Sequence, residues 1–236
     1  MIIIPDVHGR IFWKDAVKEN EKVVFLGDYV DPYPGEGISL EGVIENLEEI
    51  IEYKKSNPDN TILLLGNHDF MYLDSKHNKI SCRHDYINEP KITKLLMTPG
   101  IFQMSYIMEI SGVTYIFSHA GILQEWVDKH TRVFEGHTSL VDAAKLSNEL
   151  YQKRNQKFID SLLDISFFRG GDELCGSMIW SDVREHATVK DYEEKVYQIF
   201  GHTQLRENPI IKEHFADLDC RKAFRLNEET GEICGI

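Results

Sequence analysis

The sequence is short of basic residues, and this deficit limits the partners that the protein can have. Its 236 residues include 26 Lys and Arg against 39 Asp and Glu, a formal net charge of −13. Such a charge disfavours a non-specific hold on nucleic acid or on an anionic membrane. An acidic protein that handles phosphate must reverse its own field locally, with a metal ion or a few arginines. We therefore expect no membrane partner and no non-specific nucleic-acid binding.

Long apolar runs and paired cysteines are also missing. The first four residues form an apolar run that is too short for the core of a signal peptide, and no apolar stretch approaches the length of a membrane span. The cysteines are scattered without a CxxC pair, which favours free thiols, although two disulfides in a secreted protein would also fit the count. The sequence predicts a cytoplasmic protein with four free thiols, Cys82, Cys175, Cys220 and Cys234.

Internal repeats and low-complexity segments are absent too, and the length suits a single large core. Three short apolar runs near the start are typical of strands buried on both faces of a sheet. Amphipathic segments follow the first two runs, and Ser39 is placed to cap the second of them. This order predicts a β-α-β-α-β opening with parallel strands. The predicted strands are 1–4, 23–26 and 62–65, and the predicted helices are 10–20 and 40–56.

The rest of the chain gives weaker patterns. Alternating segments around Ser111-Gly112 predict a hairpin, and an apolar run before Gly201 predicts a further strand. A charged, periodic stretch near the middle predicts a helical cap or insertion over the site, at about 122–176, within one domain that covers 1–236. The predicted elements are a helix at 91–97, hairpin strands at 105–110 and 113–117, helical structure at 139–163, a strand at 196–200, two edge strands within 214–226 and a turn at 228–231.

Polar side chains follow the three opening strands, and two later strand ends carry a histidine. Open α/β sheets bind ligands at the carboxyl ends of their strands, so we expect these side chains to meet at one rim. One such carboxylate alone is more often a turn residue or a helix cap, but a convergent set favours a site. The set is Asp6, His8, Asp28, Asp31, Asn67, His68, His119 and His202.

These residue types suit a centre of two metal ions, because imidazole and carboxylate ligands together bind Mn, Fe and Zn. Asp6 and His8 share one side of an extended segment and can hold one ion, with Asp28 as the bridge between the ions. Three residues from later strand ends can complete the second ion, namely Asn67, His119 and His202. We expect two divalent or trivalent ions, with Mn favoured and Fe or Zn as the other choices.

From a centre of two such ions we predict the hydrolysis of a phosphate ester. A water that bridges two ions about 3.5–4 Å apart becomes hydroxide near neutral pH and attacks phosphorus in line. The leaving oxygen then needs a proton. His68 is the candidate general acid, and Asp31 could hold its imidazole in the charged form.

Five short motifs, in order along the chain, resemble the calcineurin-like metallophosphoesterases. With Met178–Asp182 as a further block, they look closest to the PPP-type branch of serine/threonine protein phosphatases and diadenosine tetraphosphate hydrolases. The resemblance implies a four-layer α/β/β/α sandwich with two mixed sheets. It also implies the same six metal ligands, with His68 as general acid and Asp31 as its partner. The motifs are Asp6-Val-His8-Gly, Gly27-Asp28-Tyr-Val-Asp31, Gly66-Asn67-His68-Asp69, Ser118-His119-Ala-Gly and Gly201-His202-Thr203.

The chain departs from that branch where the branch binds its substrate. Pro32 stands where the branch usually has an arginine that grips phosphate, and Asp69 replaces the glutamate of the protein phosphatases, as in the dinucleotide hydrolases. The closing Asp-Thr-Gly block is missing, with Asp217–Arg221 near its place. Because a guanidinium binds phosphate bidentately, other arginines should replace the missing one. We favour Arg169 and Arg10 for substrate phosphate binding over the remaining candidates, Arg83 and Arg184.

The leading hypothesis is therefore a metal-dependent phosphatase that hydrolyses phosphomonoesters, on a phosphorylated protein or a small molecule. Hydrolysis of dinucleoside polyphosphates is the alternative within the same class. A different class, an inactive binding scaffold on the same fold, should have lost ligands or the proton donor, whereas His8, Asn67 and His68 are all present.

Overall fold

A computed structural model describes residues 1–18, 21–74, 76, 83–189 and 192–236. The chain divides into two compact units. The first comprises Met1–Phe102, Arg221–Leu226 and Ile233–Ile236, and the second comprises Gln103–Cys220 and Asn227–Glu232. The single domain over 1–236 and the insertion at about 122–176 stay predictions.

The described residues form a mixed α/β structure. The strands are β1 (Ile2–Ile4), β2 (Val23–Phe25), β3 (Thr61–Leu64), β4 (Phe102–Gln103), β5 (Ser105–Ile110), β6 (Val113–Ser118), β7 (Val196–Phe200), β8 (Ile210–Ile211), β9 (Phe215–Asp217), β10 (Phe224–Leu226) and β11 (Ile233–Gly235). The helices are α1 (Trp13–Ala16), α2 (Leu40–Ser56), α3 (Asn67–Leu73), α4 (Glu89–Leu96), α5 (Gln124–Lys129), α6 (Leu140–Gln152), α7 (Gln156–Ser161) and α8 (Val183–His186).

The first sheet has the order β11-β10-β1-β2-β3-β4. Strands β1, β2 and β3 pair in parallel, as their order in the chain predicts, while β10 pairs antiparallel with both β1 and β11. The residues of β1, β2 and β3 are all buried, because apolar side chains cover both faces of these strands. The sheet is therefore mixed, and the predicted β-α-β-α-β opening is confirmed.

The helices of the opening differ in how well the sequence predicts them. Ser39 caps α2, since its Oγ accepts a hydrogen bond from the Gly42 amide at 3.0 Å. The predicted helix over 10–20 is wrong in length, because α1 has a single turn and residues 19 and 20 lie outside the described residues. Phe12 provides no side-chain cap, and Val17 already has extended backbone angles.

The second sheet has the order β5-β6-β7-β9-β8 and is also mixed. The β5–β6 hairpin is confirmed, and Ser111 and Gly112 at its turn both have positive φ, as a type I′ turn requires. Strands β6, β7 and β9 pair in parallel, and β8 pairs antiparallel with β9. The two strands predicted within 214–226 are present as β9 and β10. Their predicted position at a sheet edge is wrong, because each lies between two other strands, in different sheets. The alternation of apolar and polar residues predicts these strands, but it does not determine which strands they pair with.

The helical structure predicted at 139–163 is two helices, α6 and α7, rather than one. Arg154 between them has φ of +51°, a left-handed conformation that ends a helix. Asn155 then caps α7, because its side chain accepts a hydrogen bond from the Phe158 amide. Of the predicted thiols, Cys175, Cys220 and Cys234 are free and Cys82 lies outside the described residues. Within the described ranges, no helix has the length and apolar character needed to cross a bilayer.

Gly27 sits where the turns after β2 and β3 approach each other, and we expect Gly27→Ala to destabilise the protein by about 3 kcal/mol or more. Its φ is +109°, and a Cβ atom there would lie 2.5 Å from the Gly66 amide nitrogen and 2.9 Å from the Gly66 Cα. The matched control is Gly35→Ala, since Gly35 has φ of +89° but open space around it. That control should cost only about 1 kcal/mol. Urea unfolding measures the free energy of unfolding of both variants. Equal losses of that free energy would contradict the cost that we assign to the close approach at Gly27.

We expect His186 to make the second unit sensitive to acid, because its ring is fully buried. Burial lowers the pKa of His186 to about 4. Its Nε2 lies 3.1 Å from the Ala120 carbonyl oxygen, and its Nδ1 is buried without a hydrogen-bond partner among the described residues. A second proton on Nδ1 would therefore be a buried, unsatisfied charge.

We expect the free energy of unfolding to fall as the pH drops from about 6.5 to about 4. In this range His186 binds a proton in the unfolded chain but not in the folded chain. The full loss is about 3 kcal/mol. His186→Phe, which keeps a ring beside Phe200, should flatten this part of the pH profile, while the exposed control His137→Gln should leave it unchanged. Urea unfolding at pH 7, 5.5 and 4 measures the effect, and a profile that His186→Phe does not alter would contradict it.

Candidate active site

The loops that follow β1 and β2 are joined by main-chain hydrogen bonds beyond the ends of the strands. The His8 amide donates to the Asp28 carbonyl at 2.6 Å, and the Gly9 amide donates to the Tyr29 carbonyl at 2.9 Å. His8 and Asp28 have positive φ, at +46° and +53°, which is rare for residues other than glycine. Strained backbone of this kind persists where the surrounding structure holds it, and it concentrates at functional sites.

Asp6, His8 and Asp28 converge within the first unit. Each offers one ligand atom, and these atoms lie within 4.8 Å of one another. All three side chains are buried. The Nδ1 of His8 donates to the Val30 carbonyl oxygen at 2.8 Å, which leaves the lone pair on Nε2, and Nε2 faces Asp28 Oδ2 at 3.5 Å. The donor set therefore fits a hard or borderline metal ion.

The electrostatics of this cluster also favour a cation. Burial, and then the neighbouring Asp6, raise the pKa of Asp28 well above its usual range. Burial, and then His68 and Arg83, hold the pKa of His8 well below its usual range. A neutral imidazole is the form that binds metal, and a cation offsets the cost of two buried carboxylates.

Asp69 organises the cluster without belonging to it. Its Oδ2 accepts hydrogen bonds from the amides of Asp28 and Gly66, both at 2.8 Å, and its Oδ1 accepts one from the Tyr29 amide at 3.0 Å. The side chain is completely buried. Sequence reasoning noted Asp69 only as a departure from a motif and missed this function, for which the signal is its position in the first turn of α3.

Asn67 and His68 begin α3, next to Asp28. The His68 amide donates to Asp28 Oδ1 at 2.9 Å, and Asn67 is buried. The His68 ring pairs through Nδ1 with Asp31 Oδ2 at 2.7 Å. Asp31 also has a positive φ, at +57°. The structure thus brings together the two residues that the sequence assigns to proton transfer.

Asp31 has further partners that sequence reasoning missed. Tyr72 Oη donates to Asp31 Oδ1 at 2.5 Å, and the Asp85 amide donates to Tyr72 Oη at 2.7 Å. The ring of His84 stacks on that of Tyr72 with centroids 4.1 Å apart. Burial raises the pKa of Asp31 to about 6, against the hydrogen bond from Tyr72, which lowers it. These residues lie in 70–88, where the sequence shows no clear period.

In the second unit, His119 and His202 face each other. His119 follows β6 and His202 follows β7, and their facing nitrogens, Nε2 and Nδ1, are 3.2 Å apart. Two imidazole ligands of one tetrahedral ion are separated by about 3.3 Å when each metal–nitrogen bond is about 2.0–2.1 Å. The Gly201 amide donates to the His119 carbonyl at 2.8 Å, and His202 has φ of +69°. The pair has the spacing of two ligands to one ion.

A sequence model of one family matches residues 2–206, and its description is calcineurin-like phosphoesterase. The chain belongs to the calcineurin-like phosphoesterase family. It is therefore a metal-dependent hydrolase of the phosphatase type, as its motifs predict. Members of this family use bound metal ions, and the donor atoms of Asp6, His8 and Asp28 suit that chemistry.

Solved structures agree with the fold of a calcineurin-like phosphoesterase. A cold-active protein tyrosine phosphatase has a TM-score of 0.59 and 16% identity, and the match covers 99% of this chain and 77% of that one. A protein serine/threonine phosphatase from Saccharomyces cerevisiae has a TM-score of 0.51 and 14% identity, over 92% of this chain and 65% of that one. Both share the fold of this chain. No curated protein matches the sequence significantly.

The favoured arginines of this phosphoesterase lie in different surroundings. Arg10 makes two hydrogen bonds to Glu36, at 2.9 and 3.0 Å, so its fork is already paired with a carboxylate. In the second unit, Arg169 Nη2 donates to the His202 carbonyl at 3.4 Å, and its Nη1 lies 3.7 Å from Asp182 Oδ2. Arg184 also pairs with Asp182, at 2.7 Å.

Two aspartates near the place of the missing closing block are buried. Asp217 and Asp219 lie in the second unit, where the Asp219 amide donates to Asp217 Oδ1 at 3.2 Å and its carbonyl accepts from the Leu205 amide at 2.7 Å. The main chain of Asp219 therefore holds Leu205, in the segment that follows His202.

Proposed function

We propose that the protein is a dinuclear metallophosphatase that hydrolyses phosphomonoesters. The two ions would be held by Asp6, His8, Asp28, Asn67, His119 and His202. The observation that carries the proposal is the convergence of the donor atoms of Asp6, His8 and Asp28 in a buried place. The paired nitrogens of His119 and His202 support a second ion.

When bound, the ions would activate the attacking water and neutralise charge at phosphorus. The chain's own residues do the rest. His68 gives a proton from Nε2 to the leaving oxygen, while the contact of its Nδ1 with Asp31 at 2.7 Å fixes the ring. Arg169, beside His202, binds a phosphoryl oxygen. Arg10 stays a weaker candidate for this task, since its guanidinium already pairs with Glu36.

Asp69 does not favour the dinucleoside polyphosphate alternative. Its two carboxylate oxygens accept three main-chain hydrogen bonds within the first unit, so the residue shapes the loops and has no need to contact a substrate. An aspartate in that position therefore carries no information about the leaving group. We favour monoesters, on a phosphoprotein or a small molecule, with Mn ahead of Fe and Zn.

The test is a substrate panel with the metal-reconstituted protein. It comprises p-nitrophenyl phosphate, phosphoserine and phosphotyrosine peptides, nucleotides and diadenosine tetraphosphate, each assayed with Mn, Fe and Zn. We expect about two ions per chain and faster turnover of the monoesters. Faster cleavage of diadenosine tetraphosphate would support the alternative, and bound metal without any turnover would support the scaffold.

A further inference from the structure

Arg83 contacts His68, the general acid that we assign, and two residues beside it, all within the first unit. Its Nη1 donates to the Asp31 carbonyl oxygen at 2.6 Å, and its Nη2 lies 2.8 Å from His68 Nε2. Its guanidinium lies over the ring of Tyr33, 3.9 Å from the centroid. The backbone contact and the ring together hold the guanidinium beside His68.

The chemistry of the contact with His68 determines which atom donates. A guanidinium has only donors, so His68 Nε2 accepts from Arg83. The proton of the neutral ring is then on Nδ1, which donates to Asp31 Oδ2 at 2.7 Å. Nε2 is the nitrogen that must face the leaving oxygen of a substrate. Arg83 therefore lies at the place where the ester would meet the general acid.

The position of Arg83 also bears on Pro32, which stands where a phosphate-binding arginine is expected from the resemblance. The guanidinium is anchored to the carbonyl of Asp31, the residue directly before Pro32, although Arg83 is 52 positions away from Asp31 in the sequence. It thus delivers positive charge to the peptide that precedes Pro32. Arg10 lies farther from the same ring, 5.3 Å from the centroid of Tyr33.

The guanidinium of Arg83 places a positive charge 2.8 Å from His68 Nε2, the atom that would face the substrate. A charge in this position would attract an anion that binds beside His68.

We propose that Arg83, in addition to Arg169, binds the phosphoryl group of the substrate, and that its fork moves from His68 Nε2 onto the phosphoryl oxygens. The move would bind the anion bidentately and free Nε2 to take up a proton from solvent. The resulting imidazolium, held at Nδ1 by Asp31, can then give that proton to the leaving oxygen. This inference rests on the proposed function and specifies it, because the ligand is a tetrahedral phosphoryl anion.

The experiment measures binding of inorganic phosphate to the metal-reconstituted full chain by titration calorimetry, beside metal content and steady-state kinetics. Arg83→Ala should raise the Kd for phosphate roughly 10–100-fold and raise KM for a monoester, with unchanged metal content. Arg83→Lys should lie between, because an ammonium is a point charge without a fork. Free guanidinium should partly restore phosphate binding to Arg83→Ala. The control Arg132→Ala, at an exposed position, should match the wild type in every readout.

An unchanged Kd for phosphate in both Arg83 variants would overturn the inference while the proposed function stands. A purely structural role would lower the unfolding temperature of Arg83→Ala but leave the phosphate affinity of the folded variants unchanged, and this result would overturn the inference as well. Should Arg83→Ala fail to fold, Arg83→Lys decides. A wild-type protein that binds no metal and hydrolyses no ester would refute the proposed function itself, and this inference with it.

Discussion

Asp28→Asn is expected to lower the metal content and to reduce turnover of phosphate esters by roughly 10³-fold or more. Asp28 Oδ1 already accepts a hydrogen bond from the His68 amide, and Oδ2 faces His8 Nε2 at 3.5 Å. A neutral amide cannot replace the carboxylate that we propose to bridge two cations, and its NH₂ group would place hydrogens toward them. The buried pair of Asp6 and Asp28 would lose half of its negative charge.

The measurement combines metal analysis with turnover of p-nitrophenyl phosphate, for wild type, Asp28→Asn and the exposed control Asp59→Asn. The control should keep its metal and its rate. A fully active Asp28→Asn protein would show that the bridging assignment is wrong. Loss of activity with full metal content would place Asp28 in a later step of the reaction and would also contradict the bridge.

His68→Asn should keep both ions and slow the hydrolysis of ordinary esters by about 10²–10⁴-fold, the usual contribution of a general acid. Asparagine preserves the start of α3 and the main-chain hydrogen bond to Asp28, so the metal ligands stay in place. The loss should be smaller for p-nitrophenyl phosphate, because p-nitrophenolate leaves readily without a proton.

The comparison of leaving groups separates proton donation from other functions of His68. Phosphoserine peptide and p-nitrophenyl phosphate are assayed in parallel with wild type, His68→Asn and the exposed control His137→Asn. Equal losses on both substrates would exclude proton donation as the reason for the defect. A control that loses activity as well would point to a general fault of the preparation.

The sequence predicts the strand ends of this protein well, because local chemistry determines them. Short apolar runs that stop at Gly/Asp-rich turns correspond to β1, β2 and β3, and Ser39 caps α2 as expected. The candidates Asp6, His8 and Asp28 come together because parallel strands deliver their loops to one edge.

The supporting contacts could not be predicted, because they join residues far apart in the chain without a periodic pattern. Tyr72 reaches Asp31 across 41 positions, and Asp69 reaches the Asp28 amide across another 41. The sequence alone leaves Arg83 as one of four plausible arginines, and only its contact with His68 singles it out. The tail likewise shows alternation without revealing that β9 and β10 join different sheets.

The three main-chain hydrogen bonds that Asp69 accepts affect how genetic variants of this protein should be interpreted. A change at Asp69 would release the turns after β2 and β3 together, and the ligands on them would lose their alignment. Such a variant would behave in an assay like a metal-binding defect, although Asp69 is not one of the proposed ligands and its carboxylate accepts main-chain hydrogen bonds. A mutational scan of activity would then assign Asp69 to the catalytic centre, although the residue supports that centre from outside.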